Sequence, residues 1–246
     1  MSENILEVEE IGDIRRVTMN RPGRLNALNQ TLTEELLAYF EARRRDTAAR
    51  VIVISGAGRG FCSGADLKAG GQPDALRDGP DGDWYLRDLM KAMRGCPQPI
   101  IALVRGPAAG GGLAIALASD VIVAGESAVF HTAFIKIGLS GAELGAAWRL
   151  QRTMGLSRAR EALLTGRPID AQDALRTGLV SAVVADGALD EHGLALARAM
   201  TEARPDALRL TKRSLDAALE IGSFDAAMEL EERAQMLMIA RRKAQT

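Results

Sequence analysis

Three short stretches constrain this chain more than anything else in it: "VIVIS" at 51–55, "IIALVRG" at 100–106 and "VIVAG" at 121–125. Each holds a continuous apolar run rather than an alternating one, the pattern of a strand buried on both faces, and each run leads into glycine. Helical patterns lie beside them. "TLTEELLAYFEARRRD" puts Leu32, Leu36, Leu37 and Phe40 on one face, and Thr31 with Glu34 suits a capping box at its start. Upstream, Ile5–Val8 and Ile14–Met19 read as strands around a turn at Gly12–Asp13, and "NRPGRLNALN" reads as a loop. Residues 69–83 crowd glycine, proline and aspartate together, which predicts a surface loop running into Trp84 and Tyr85. From about Gly138 helical patterns take over: "SRAREALLTG" and "DAQDALRTGL" each close on a C-cap glycine, and the last ~40 residues read as two amphipathic helices. Strands alternating with helices predict an α/β fold with parallel pairing.

Bulk properties narrow the function classes. The 246 residues, 47% hydrophobic and 26% charged, suit an ordinary globular core that needs no disulfide or metal staple. With 31 basic and 32 acidic residues the net charge is −1, so no global field points to nucleic acid. Cys62 and Cys96 form no framework, and two distant histidines give no metal spacing. The acidic start "MSENILEVEE" lacks the features of a signal peptide, and no run approaches the ~18 apolar residues of a membrane span. The expectation is a cytoplasmic protein with no membrane partner.

Two longer stretches carry the chemistry. "SGAGRGFCSGADLKAG" at 55–70 and "GPAAGGGLAIALASD" at 106–120 each take a strand into a glycine turn and then toward a helix. Neither is a GxGxxG with its downstream acid nor a GxxxxGK[ST], which disfavours nucleotide phosphate, and no motif calls for a metal, a nicotinamide or a flavin. Glycine lets another molecule approach the backbone, and N–H groups at a helix start are unsatisfied and electropositive. Two such turns side by side can aim two N–H donors at one carbonyl oxygen, a term of about 3–4 kcal/mol per donor in catalysis.

In this order and spacing the two stretches resemble the crotonase (enoyl-CoA hydratase/isomerase) family. So do "NRPGRLNALN", "ASDVIVAGESAVF" and "LLTGRPIDAQDALRTGLVSAVV", and the match runs from about residue 10 to residue 220. The resemblance implies a spiral of ββα units over residues 1–190 and a C-terminal helical region over 191–246 that builds homotrimers or dimers of trimers. It also implies an acyl-CoA substrate, with coenzyme A entering only as part of that substrate and no further cofactor. Carried over by motif, the N–H donors are those of Ala65 and Gly111, the latter beside Gly110. Ala65, Asp66, Leu67 and Lys68 would line the thioester path, Asp66 bracing the turn, and Arg24 would meet CoA phosphates. Trp84 and Tyr85 are candidates to close the acyl pocket, and Asp120 reads as structural.

The chain departs from the family at the acid–base positions. Hydratases of the family use two glutamates; here Ala114 holds the first position and Phe134 the second. A positioned acid or base contributes about 10²–10⁴-fold, and neither residue supplies one. Glu143, in "GLSGAELG", is the candidate replacement, set against the alternative of a helix-entry carboxylate. His131 is a second candidate, flanking the pocket near Phe134. The end of the chain, "ERAQMLMIARRKAQT", reads as shortened relative to the family. Two readings follow: a lyase or isomerase with non-standard acids, or an acyl-CoA-binding pseudoenzyme or regulatory subunit without turnover.

Overall fold

A computed structural model describes residues 4–46, 48–66 and 84–244, with the side chains of Trp84 and Tyr85 outside the description. The predicted Leu67 and Lys68, and the loop at 69–83, also lie outside the described residues.

The apolar runs form the middle of a six-stranded sheet ordered β1-β2-β3-β4-β6-β9. Its strands are β1 (Leu6–Ile11), β2 (Ile14–Met19), β3 (Val51–Gly56), β4 (Ile100–Val104), β6 (Val121–Gly125) and β9 (Ala182–Val184). β1 and β2 form the antiparallel hairpin expected around Gly12, and every later pairing in this sheet is parallel. A smaller sheet, ordered β5-β7-β8, consists of β5 (Pro107–Ala109), β7 (Val129–His131) and β8 (Ile169–Asp170).

Strand alternation divides the core in two. Ile52, Ile54, Ile100, Ala102 and Val104 point into the larger cluster. There they meet side chains of α1 (Gln30–Arg43), α2 (Trp84–Arg94) and α3 (Gly111–Ala118). Val51, Val53, Ile101, Leu103 and Val123 point the other way, against Leu189 and Ala197 of α7 (Leu189–Thr201). Burial on both faces is why these runs do not alternate in sequence. Helix α1 begins two residues earlier than expected: Asn29, not Thr31, is the N-cap, its side chain accepting from Leu32 N at 3.1 Å. An asparagine one residue ahead of the helix satisfies an orphan N–H directly, so no box is needed.

Beyond β7 the chain is mostly helical, as the patterns predicted: α4 (Ala146–Met154), α5 (Leu156–Thr165), α6 (Ala171–Thr177), α8 (Pro205–Ala218) and α9 (Phe224–Lys243). Gly166 and Gly178 close α5 and α6 with φ of 64° and 78°. The short strands β8 and β9 within this part had no counterpart in the sequence reading. Helix α8 is tied to the core by Lys212, whose buried ammonium donates to Asp120 Oδ2 at 2.8 Å and to the Gln98 carbonyl at 2.9 Å. Asp120 also accepts from Ile100 N, so it links β4, α3 and α8. No residue of α9 is buried, and its Phe224, Met228 and Met236 are exposed beside Leu215 and Leu219.

Candidate active site

The two glycine turns meet edge to edge. Cys62 bridges Ala108 in parallel: Cys62 N donates to Pro107 O at 3.0 Å, and Ala109 N to Cys62 O at 2.9 Å. The chain then reverses at Gly64 (φ 90°) and Gly110 (φ 52°), both in the left-handed region that other residues resist. A β-carbon on Gly64 would stand 2.7 Å from the Ala109 carbonyl oxygen and 3.6 Å from the Gly111 nitrogen. Such closeness is open only to bare backbone.

The direction of the Ala65 N–H follows from its neighbours. Leu28 N donates to Gly64 O at 2.8 Å, and Asp66 N donates to Leu28 O at 3.0 Å. These bonds straddle Ala65, so its own N–H and carbonyl face away from Leu28. Gly111 is the first residue of α3, where helix geometry supplies no intrahelical acceptor for its N–H. Gly110 N donates to His131 O at 3.1 Å, fixing the turn to β7.

Behind the first turn lie the partners of Asp66, which the sequence reading did not name. Arg21 donates to the Ala27 carbonyl and, at 2.9 Å, to Asp66 Oδ2, with both ionic groups largely buried. Asn26, fully buried and at φ 54°, donates to Gly60 O at 2.8 Å and to Ala57 O at 3.0 Å, while its Oδ1 accepts from Arg21 N at 2.9 Å. The "NRPGRLNALN" loop thus holds the turn that carries Ala65. Its polar residues show no period, and the only local signal was their density. Arg24 is exposed on the same loop, and its carbonyl accepts from Ser63 Oγ at 3.4 Å.

Ala114 and Phe134 stand where the resemblance leads one to expect acids. Ala114 is 1% exposed in the body of α3. Phe134 is half-buried with its ring over Gly110, 3.6 Å from where a β-carbon would stand. His131 lies beside the same turn, half-buried; burial first, and then Lys136, lower its pKa below the ordinary histidine value. The Cys62 thiol is pushed up to about 12 by burial.

Glu143 stands elsewhere. Its Oε1 accepts from Leu144 N at 3.2 Å, and it lines a cavity of about 540 Å³ together with Leu117 and Ala118 of α3. In a helix, residues three, four and seven apart share a face, so Gly111, Ala114 and Ala118 form one line along α3. The glycine turns are at one end of that line and the cavity holding Glu143 is at the other. Seven residues of rise separate them by about 10 Å. Among the described residues no group of His, Cys, Asp or Glu side chains is arranged to hold a metal ion, and no helix is long and apolar enough to cross a membrane.

Parallel strands feeding paired glycine turns at a helix N-terminus, with a cavity along that helix, define an α/β class with a preformed small-molecule site. The particular family follows from comparison. The family model described as enoyl-CoA hydratase/isomerase matches residues 9–246, and this chain belongs to that acyl-CoA-processing family. It is 39% identical to a probable enoyl-CoA hydratase, echA12, of Mycobacterium bovis, over 92% of this chain and 81% of that protein. It is 34% identical to the 1,2-epoxyphenylacetyl-CoA isomerase of Escherichia coli, over 96% and 90% of the two chains. Among solved structures, an enoyl-CoA hydratase from Bacillus anthracis superposes with a TM-score of 0.90 at 31% identity, covering 96% of this chain and 92% of that one. A monofunctional enoyl-CoA isomerase from M. smegmatis gives 0.78 at 36% identity, covering 91% and 98%. The crotonase spiral expected from the sequence is the fold observed.

Proposed function

We propose that the protein is an acyl-CoA lyase or isomerase that holds the thioester oxygen between the N–H groups of Ala65 and Gly111. The observation that carries this reading is the edge-to-edge meeting of the two glycine turns in a member of an acyl-CoA-processing family. Donors fixed by backbone need no reorganisation as charge develops on the oxygen, which makes the protons next to the thioester carbon more acidic. Gly110 shapes the turn, and Arg24, Asp66, Leu67 and Lys68 belong to the thioester and CoA path. Exposure of Arg24 suits contact with CoA phosphates. Phe134 and His131 flank the thioester, His131 in its neutral form.

Glu143 is the proton carrier in this reading. Its place down the helix from Gly111 suits proton transfer at a carbon remote from the thioester, which favours double-bond movement over simple hydration. The competing reading, binding without turnover, draws support from the apolar Ala114 and Phe134. For assembly we propose a homotrimer or dimer of trimers built on the C-terminal helices, where α8 and α9 expose Leu215, Phe224, Met228 and Met236. We place the protein in the cytoplasm.

The test is turnover of crotonyl-CoA and of a longer trans-2-enoyl-CoA, followed by loss of the conjugated thioester absorbance, with Glu143→Gln alongside. Activity that falls about 10²–10⁴-fold in the variant supports Glu143 as proton carrier. Undiminished activity removes Glu143 from the chemistry and turns attention to His131. Tight thioester binding with no conversion of either substrate supports the non-catalytic reading.

A further inference from the structure

The cavity beyond Ala118 is not lined as a hydrocarbon pocket would be. Its inner wall is apolar, with Met90, Leu117, Ala118 and Leu144. Its outer wall carries four cations, Arg87, Lys91 and Arg94 on α2 and Arg149 on α4, against two carboxylates, Glu143 and Glu220. Arg87, Lys91 and Arg94 fall four and then three residues apart, so they share one face of α2. Arg94 pairs with Asp216 and lies over the Trp148 ring at 5.6 Å. Lys91 pairs with Asp88 at 3.4 Å, an exposed contact of little strength. Arg149 donates to the Ser119 and Asp120 carbonyls at the C-terminus of α3, at 3.4 and 3.3 Å. Burial first, and then the neighbouring Arg94, work against its charge. Asp120 and Asp216 favour that charge, though each also pairs with another cation, Lys212 and Arg94 respectively.

We propose that this cavity receives the far end of the acyl group and selects acyl groups that end in a carboxylate. The proposal rests on the acyl-CoA reading above. A chain held at Gly111 and laid along Ala114 arrives at the cavity after about 10 Å, the rise of the intervening helix. Its methylenes meet the apolar wall, and its last group meets the guanidinium of Arg149, with Arg94 behind it and Lys91 and Arg87 at the rim. An anion there offsets the mutual repulsion of Arg94 and Arg149. A methyl group supplies no counter-charge and leaves the repulsion between the partly buried Arg94 and Arg149 in place, and specificity comes from that difference.

The experiment is calorimetric titration of the full chain with trans-2-decenoyl-CoA and trans-2-decenedioyl-CoA, which share thioester and length and differ at the last carbon. The expected result is at least tenfold tighter binding of the diacid thioester, a preference that shrinks as salt is raised. Arg149→Gln should bring the ratio close to one. Because Arg149 also caps α3, the exposed double variant Arg87→Gln/Lys91→Gln provides a second arm, in which the ratio should fall about threefold. Equal binding of the two thioesters, or a preference that both variants leave unchanged, overturns the proposal while the acyl-CoA reading stands. Binding of neither thioester overturns the acyl-CoA reading and this proposal with it.

Discussion

The two ends of α3 are built by opposite means. At its N-terminus the site is main chain: Gly64, Ala65, Gly110 and Gly111 present peptide groups, and side chains serve only to hold them. At its C-terminus the site is side chain: Arg94, Glu143, Trp148 and Arg149 define the cavity, and the backbone only carries them. The first end changes only through its packing and braces. The second can be rewritten one residue at a time. On the proposed reading, the thioester would be held by the end that resists change and the acyl chain would be met by the end that can vary.

The sharpest way to break this contrast is Gly112→Ala. A β-carbon there would stand 2.2 Å from the Cys62 carbonyl oxygen, a backbone atom that cannot yield. The expected cost is about 3 kcal/mol or non-folding, read from urea unfolding. Gly111→Ala is the paired control, since its β-carbon meets the flexible Leu28 Cδ1 at 2.8 Å. Stability there should fall by only about 1 kcal/mol. Equal losses at the two positions would show that backbone closeness is not what shapes this end.

Next in size is Arg21→Met, which leaves the buried Asp66 carboxylate without its guanidinium. We expect a loss of about 3 kcal/mol, together with lower turnover. Combining it with Asp66→Asn should recover part of the loss in a double-mutant cycle, and additive losses would disprove the brace. Lys212→Met should cost about 2 kcal/mol by removing two charge-assisted bonds, with a lower denaturation midpoint as the readout. No change in the midpoint would mean that α8 does not depend on this anchor.

The smallest effect is at His131. Its lowered pKa means that the unfolded chain binds a proton more readily than the folded one. This histidine therefore has no effect well above its ordinary value of 6.5 and costs stability as pH falls through it toward the depressed folded value. The His131 imidazole should titrate below 6.5, and His131→Gln should flatten melting temperature against pH on the acid side. Titration above the ordinary value would reverse the sign and point to a carboxylate beside the ring.

Much of this architecture was legible in the residues. β3, β4 and β6 announce themselves because burial on both faces leaves no polar positions, and α5 and α6 end where their glycines say. β5, β7, β8 and β9 were less visible, since strands of two or three residues are too short to show a period. Thr31 reads as the cap in the sequence, and Asn29, just ahead of the helix, takes that place. At the site, the glycine turns could be read by motif. Asp66 as a brace could be read too, but not its Arg21 partner nor the Asn26 contacts, because these join segments 31 to 45 residues apart without any repeating pattern. The clustering of α2 and α4 cations around one cavity was equally hidden, since each looks like an ordinary solvated charge on its own helix.

The main-chain character of the first end also has a consequence for how rates should vary with acidity. A peptide N–H neither gains nor loses a proton across the range in which proteins stay folded, and the nearby Cys62 thiol holds its proton to about 12. Electrophilic activation by such donors is constant from mildly acidic to mildly alkaline solution. On the proposed reading, any inflection in a pH–rate curve would then be the signature of side chains, and His131→Gln would tell whether the one beside the turn writes it.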